Sequence, residues 1–222
     1  MLDAANSATY HLQSRRFATG FFFTFVRMIY LLAHADALPD SFPDLCRAFM
    51  PIERSRQMMS YTRIADRKLC AAAYVLLVYA LKKEKLFTQL PVFAYGSNNK
   101  PYLVNYPNIH FNISHSRGAV VCVLSLDPVG IDIEKVTGYD DDMARYICNP
   151  KEYEWVTGLP GMEAQRFTEM WTRKESYVKS TGTGINCHPQ QMESGESRVF
   201  YTGKNNDQYI ISIRQCSKKP TP

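Results

Sequence analysis

Along this chain apolar residues run together, alternate with polar ones or recur at helical spacing, and the three patterns divide it into elements. Residues 28–34 (MIYLLAH) form a short apolar run ahead of the loop that carries Pro39 and Pro43, which predicts a buried strand. The stretch 66–83 (DRKLCAAAYVLLVYALKK) is rich in Ala and Leu, opens on Asp66 as an N-cap and closes on lysines suited to a helix C-terminus; it predicts a core helix. After the turn GSNNKP (96–101) come three strand-like pieces, 109–113 (IHFNI), 119–126 (AVVCVLSL) and, past Asp127-Pro128, 129–134 (VGIDIE). Two of the three are expected to pair as a hairpin. Helices follow at 140–157, interrupted at Asn149-Pro150, and at 163–180, then strands at 197–202 and 208–214. Strand, helix, hairpin, helices and strands in that order predict an α+β architecture.

Composition narrows the class. A chain of 222 residues with 45% hydrophobic and 21% charged residues can bury a core without a staple, which excludes collagen-like, low-complexity and largely disordered readings. The six cysteines show neither CxxC pairs nor zinc-finger spacing, so reduced thiols and a cytoplasmic location are expected. The run Phe21 to Val26 ends at Arg27, far short of the roughly 20 apolar residues that span a bilayer, so no membrane span is predicted. Arg15 and Arg16 before FATGFFFTFV imitate a signal peptide, but the apolar part is short and lacks a small-residue cleavage site.

The net charge of +5 is uneven: residues 1–100 hold 13 basic and 7 acidic side chains, residues 101–222 hold 13 and 14. The excess peaks where Arg47, Arg54, Arg56, Arg63, Arg67 and Lys68 face only Glu53 and Asp66, a patch suited to phosphate groups of nucleic acid or of a small ligand. A nucleic-acid module is opposed by the near-neutral second half and by the absence of a recognition motif.

Three segments carry candidate chemistry. In VGIDIE, Asp132 and Glu134 lie two apart on a strand and project from one face, an arrangement that invites a hard divalent cation such as magnesium and that solvated strand edges also show. In the helix FTEMWTRKESYVK, Phe167, Met170, Trp171, Tyr177 and Val178 gather on one side at about 100° per residue, with Lys174 inside that face and Glu175 at its margin. A charge there is costly unless paired or functional. Glu175 and Lys179, spaced i to i+4, also fit a surface pair worth roughly 0.2–0.5 kcal/mol. The third segment, FNISHSRG (111–118), reads as a strand entering a polar turn whose hydroxyls, imidazole and amides cradle a phosphate, or as one with a merely structural histidine.

The order of a basic segment, GSNNKP, FNISH, VGIDIE and WTRKESYVK resembles the Sfp-type 4'-phosphopantetheinyl transferases, whose signatures are FNxSH, (V/I)G(I/V)D(I/V)E and W(T/S)xKES(Y/F)xK. The resemblance covers roughly residues 28–216 and rests on two long motifs about 40 residues apart. It implies transfer of the phosphopantetheine arm of coenzyme A to a serine of an apo acyl or peptidyl carrier protein, releasing adenosine 3',5'-bisphosphate. It also implies a magnesium ion held by Asp132, Glu134 and Glu175. Glu175 matches the residue that accepts the serine proton, directly or through water, and Lys179 the lysine that contacts the pyrophosphate. Lys100, Ser114 and His115 match phosphate-contacting positions, and Glu152 resembles a further acidic residue near the metal. Arg56 and Arg67 fall near the basic residues for the 3'-phosphate, with Arg54, Arg63 and Lys68 as substitutes because YTRIADRK aligns ambiguously by one residue.

Two departures stand out. Gly182-Thr183-Gly184 replaces a Gly-Lys-Gly common in the family, and residues 1–27 have no counterpart, for which a misassigned start is the expected account. By the same resemblance the fold has two similar α+β halves, 28–126 and 127–216, related by a pseudo-twofold, with coenzyme A in the cleft and a tail at 217–222. The resemblance also implies a monomer, the usual state of such enzymes. The rival within enzymes is a magnesium-dependent phosphoryl or pyrophosphate hydrolase that uses the same carboxylates on water.

Overall fold

The computed structural model describes residues 26–96, 98–192, 194–203 and 207–216. Most of the expected N-terminal extension and the whole 217–222 tail lie outside them. Strand β1 (Val26–Leu32) starts two residues before the expected one and ends two before it, because its partner β5 (Ala119–Ser125) runs out opposite it and His34 turns left-handed at φ 58°. The chain then forms α1 (Phe42–Arg47), α2 (Ile52–Ser60) and α3 (Ile64–Lys83). Asp66 is not the N-cap of α3; that position is Arg63, and Asp66 sits in the first turn, where its charge complements the helix dipole.

A small ribbon, β2 (Phe93–Tyr95) with β3 (Pro101–Leu103), brackets the GSNNKP turn. Next comes β4 (His110–Ser116), paired with β5 through the two-residue turn Arg117-Gly118. Both turn residues have positive φ, 36° and 88°, the requirement of a tight hairpin turn that matches strand twist. The remaining elements are β6 (Val129–Lys135), α4 (Asp141–Ile147), α5 (Pro150–Thr157), α6 (Glu163–Thr181), β7 (Arg198–Thr202) and β8 (Tyr209–Gln215). The break between α4 and α5 falls at Asn149, whose side chain and Glu152 form a capping box.

Two antiparallel three-stranded sheets, ordered β1-β5-β4 and β6-β8-β7, make the α+β frame. Strand β5 reads as an unbroken apolar run because both of its faces are covered. Val120, Cys122 and Leu124 pack with Leu77 and Leu81 of α3, whereas Val121 and Val123 pack with Ile131 and Ile133 of β6. The two sheets thus share a core through β5, and α6 lies on β6 and β8 from the other side.

Of the expected apolar face of α6, Met170 and Val178 are buried, as is Lys174 within it, while Phe167, Trp171 and Tyr177 are half-buried. A second buried row that the hydrophobic pattern does not predict, Thr168, Thr172, Ser176 and Ser180, is spaced by four. Small hydroxyl residues let the helix sit close to the sheet, and each oxygen bonds a helix carbonyl or, for Thr172, also the Ser212 hydroxyl of β8 at 2.8 Å.

Candidate active site beside the second sheet

Alternation along β6 sorts its side chains. Val129, Ile131 and Ile133 enter the core, and Gly130, Asp132 and Glu134 take the opposite parity, toward α6. A Cβ on Gly130 would lie 2.0 Å from the Ser176 carbonyl oxygen and 2.3 Å from the Ser180 nitrogen, so the absence of a side chain here is what lets the helix backbone touch the strand. That approach brings the last turns of α6 to Asp132: Lys179 Nζ donates to Asp132 Oδ1 at 2.5 Å and lies 3.9 Å from Glu175 Oε2.

Alternate residues of β4 complete the wall. Asn112 Oδ1 accepts from the Ile131 amide at 2.8 Å, Ser114 Oγ donates to Asp132 Oδ1 at 2.7 Å, and Ser116 Oγ donates to Glu134 Oε2 at 2.5 Å. The three bonds step along both strands in one direction and bridge the two sheets with side chains. Ser114 Oγ also accepts from Lys179 Nζ at 3.1 Å.

Asp132 and Glu175 therefore share one ammonium, and Glu134 stands close enough to feel its charge. Burial pushes the Glu134 carboxyl above its ordinary range, with Asp132 and Glu175 adding repulsion against the Ser116 hydrogen bond and Lys179. Glu175 is raised chiefly by burial and by Asp132, with Lys179 opposing. Asp132 is only 2% exposed, and its Oδ2 has no hydrogen-bond partner. A buried carboxylate oxygen without a donor and an excess of negative charge suit a cation. As arranged, however, no three His, Cys, Asp or Glu side chains among the described residues are grouped to hold a metal ion, Glu134 being turned to Ser116.

A cavity of about 350 Å³ opens alongside, with Cys70, Ala73, Phe93 and Phe111 as apolar lining and Arg54, Lys100, His115 and Lys179 as basic lining. His115 takes the opposite parity to Ser114 and is exposed at the cavity; burial and then the Lys179 charge lower its pKa, an effect softened by its contact with water. Lys100 Nζ donates to the carbonyls of Ser180 at 2.9 Å and Val129 at 3.3 Å, tying the GSNNKP turn to α6 and β6, and burial lowers its pKa.

The arginines divide. Arg54 lines the cavity, with its guanidinium 5.2 Å from the Phe93 ring centroid and a buried Nε that has no partner. Arg56 is exposed and outside the lining; Arg67, half-buried, is outside it too, and its Nε donates to the Tyr61 carbonyl at 2.8 Å. Glu152 is not among the carboxylates beside Asp132: it pairs with Lys174 at 2.7 Å and accepts from the Asn149 amide at 2.9 Å. Lys174 is wholly buried, donating also to the carbonyls of Ile147, Pro189 and Met192. The charge expected to be costly on that face is thus paired. Sequence reasoning passed over Asn112 and Ser116, although the two-residue period of FNISHS places them on the face of Ser114.

The profile of the 4'-phosphopantetheinyl transferase superfamily matches residues 128–214, the span that holds β6, α6 and β8. The chain is 31% identical over 175 residues to the 4'-phosphopantetheinyl transferase gsp of Aneurinibacillus migulanus, covering 76% of this chain and 67% of that protein. It is 37% identical over 94 residues to a 4'-phosphopantetheinyl transferase of Bacillus subtilis, 42% of each chain. To the 4'-phosphopantetheinyl transferase Sfp of Bacillus subtilis strain 168 it is 34% identical over 94 residues, again 42% of each. These matches all fall in one class, the phosphopantetheine-transferring enzymes. This chain belongs to the 4'-phosphopantetheinyl transferase superfamily. It spans about two thirds of the first relative and under half of the other two.

Proposed function

We propose that this chain transfers the 4'-phosphopantetheine arm of coenzyme A to a serine hydroxyl of an apo acyl or peptidyl carrier protein. The observation that carries the reading is the convergence of Asp132, Glu175 and Lys179, from the two motif segments, next to a cavity with basic lining. The serine Oγ attacks the phosphorus that bears pantetheine while its proton passes to the Glu175 carboxylate, directly or through water. A new O–P bond forms, the bond from that phosphorus to the bridging pyrophosphate oxygen breaks, and adenosine 3',5'-bisphosphate leaves with the electron pair. Burial raises the Glu175 carboxyl, which favours proton acceptance, and holding the ion would lower it again, so the two roles compete at this residue. The Lys179 ammonium stabilises the charge developing on the leaving group.

Asp132, Glu134 and Glu175 would hold the magnesium ion, and the unpartnered Asp132 Oδ2 supports that assignment. The bound ion would neutralise the pyrophosphate and align it for attack. Lys100, Ser114 and His115 are proposed to contact coenzyme A phosphates, with Arg54 in the cavity wall as the first contact of the 3'-phosphate and Arg56 and Arg67 peripheral to it. The two-halved division near residue 127, a monomeric state and a cytoplasmic location belong to the same proposal. All six cysteines are unpaired, which supports a reducing compartment, and no helix among the described residues is long and apolar enough to cross a membrane.

The test mixes the full chain with an apo carrier protein, coenzyme A and magnesium, and follows the carrier's intact mass with and without a chelator. A metal-dependent gain of one phosphopantetheine arm, lost in Asp132→Ala and in Glu175→Gln, is expected. Hydrolysis of coenzyme A without any carrier, and no mass gain, would establish the hydrolase instead.

A further inference from the structure

The cation already seated on Asp132 belongs to the protein itself. Lys179 Nζ lies 2.5 Å from Asp132 Oδ1, 3.1 Å from Ser114 Oγ and 3.9 Å from Glu175 Oε2, so it touches one carboxylate proposed as a metal ligand and stands near another. Its position is well defined, because α6 is held against β6 by backbone contact at Gly130. The neighbouring turn of α6 is fastened by Lys100 to the Ser180 carbonyl at 2.9 Å. Within the Asp132 carboxylate Oδ2 remains without a partner, and Glu134 is engaged by Ser116.

We infer that Lys179 is a built-in counter-ion that competes with a divalent metal for Asp132, so that the ammonium must leave Oδ1 before the carboxylates can close on the ion. This rests on the metal placement proposed above. It adds a second task to a residue assigned there only to the pyrophosphate. A diphosphate that attracts the ammonium releases Asp132 in the same movement, which couples metal entry to substrate binding.

The competition is read by titrating the full chain with manganese alone and measuring free ion by electron paramagnetic resonance. Lys179→Met, which keeps the apolar stem and removes the charge, should bind manganese at least about tenfold more tightly than the unaltered chain. Lys179→Arg, which keeps the charge, should not. Circular dichroism identifies a variant that fails to fold, and Lys179→Gln then replaces Lys179→Met. Equal or weaker manganese binding by the folded uncharged variants overturns the competition. Adding Asp132→Asn to Lys179→Met should abolish the tight binding. If it does not, the metal lies elsewhere and the placement beside Asp132 falls together with the competition.

Discussion

Replacing Gly130 with alanine adds one methyl at the point where α6 touches the strand, and the structure fixes how badly it fits. The new carbon would stand 2.0 Å from the Ser176 carbonyl oxygen, 2.3 Å from the Ser180 nitrogen and 2.8 Å from the Lys179 carbonyl carbon, where separations under 3.0 Å are essentially never found. All three atoms are helix backbone, so no side chain can swing aside, and α6 must withdraw from β6 by roughly 1 Å or more. Overpacking of a closed core costs about 1–3 kcal/mol, and here it falls at the upper end because the Thr172–Ser212 hydroxyl contact shifts as well. The same withdrawal carries Glu175 and Lys179 away from Asp132, and a misplacement of about 1 Å in a reacting constellation can cost about a hundredfold in rate. Urea denaturation and carrier-modification rate are measured on Gly130→Ala beside Gly138→Ala, whose added methyl meets nothing within 4 Å. The expected result is a lower midpoint and slowed transfer for the first and neither for the second. An unaltered midpoint and rate in Gly130→Ala would refute the argument that backbone contact at this glycine sets the site.

The buried pair gives a second expectation: Glu152→Ala leaves Lys174 charged with no carboxylate and should cost about 3–5 kcal/mol in urea denaturation, and the Glu152→Ala/Lys174→Met double variant less than the sum of the singles. Asp141, at the start of α4, accepts from Tyr153 at 2.7 Å, Tyr139 at 2.8 Å and Arg145 at 2.8 Å, and these bonds, Tyr153 foremost, hold its carboxyl below the ordinary value. A depressed folded value stabilises above the unfolded value of about 3.9 and the contribution fades as pH falls through the folded one. The melting-temperature gap between the unaltered chain and Asp141→Asn should therefore shrink below about pH 4, and a gap constant with pH would contradict it. Arg54→Ala should raise the KM for coenzyme A about tenfold while Arg56→Ala changes it less; the reverse order would return the anion contact to Arg56.

Periodicity made the strands legible, since the parities of FNISHS and VGIDIE place Ser114, Asp132 and Glu134 where the structure has them. The segment between His34 and Arg63 was opaque: α1 and α2 are short, begin beside prolines and show mostly exposed side chains, so no apolar stripe announces them. Without α2 there was no helical register to decide which arginine turns inward, and Arg54 stayed indistinguishable from Arg56.

The hydroxyl row of α6, unlike its buried Met170 and Val178, was missed for a different reason. A hydrophobicity pattern ranks Phe167 and Trp171 above Thr172 and Ser176, yet what a close helix–strand contact selects is small size, with hydroxyls satisfied by the helix's own carbonyls. The readable signal was a pair of features in different segments, a glycine in the strand and a hydroxyl residue every fourth position in the helix. Each looks unremarkable alone, and together they specify the approach that carries Lys179 to Asp132. The chemistry at this site thus depends on side chains left out as much as on those supplied. Adding bulk at Thr172 or Ser176 should for that reason impair transfer as Gly130→Ala does, although neither residue faces the cavity. Thr172→Val, which keeps the volume and removes only the hydroxyl, separates the two effects: near-normal transfer with a loss of stability is expected, because Ser212 loses a partner while α6 stays in place.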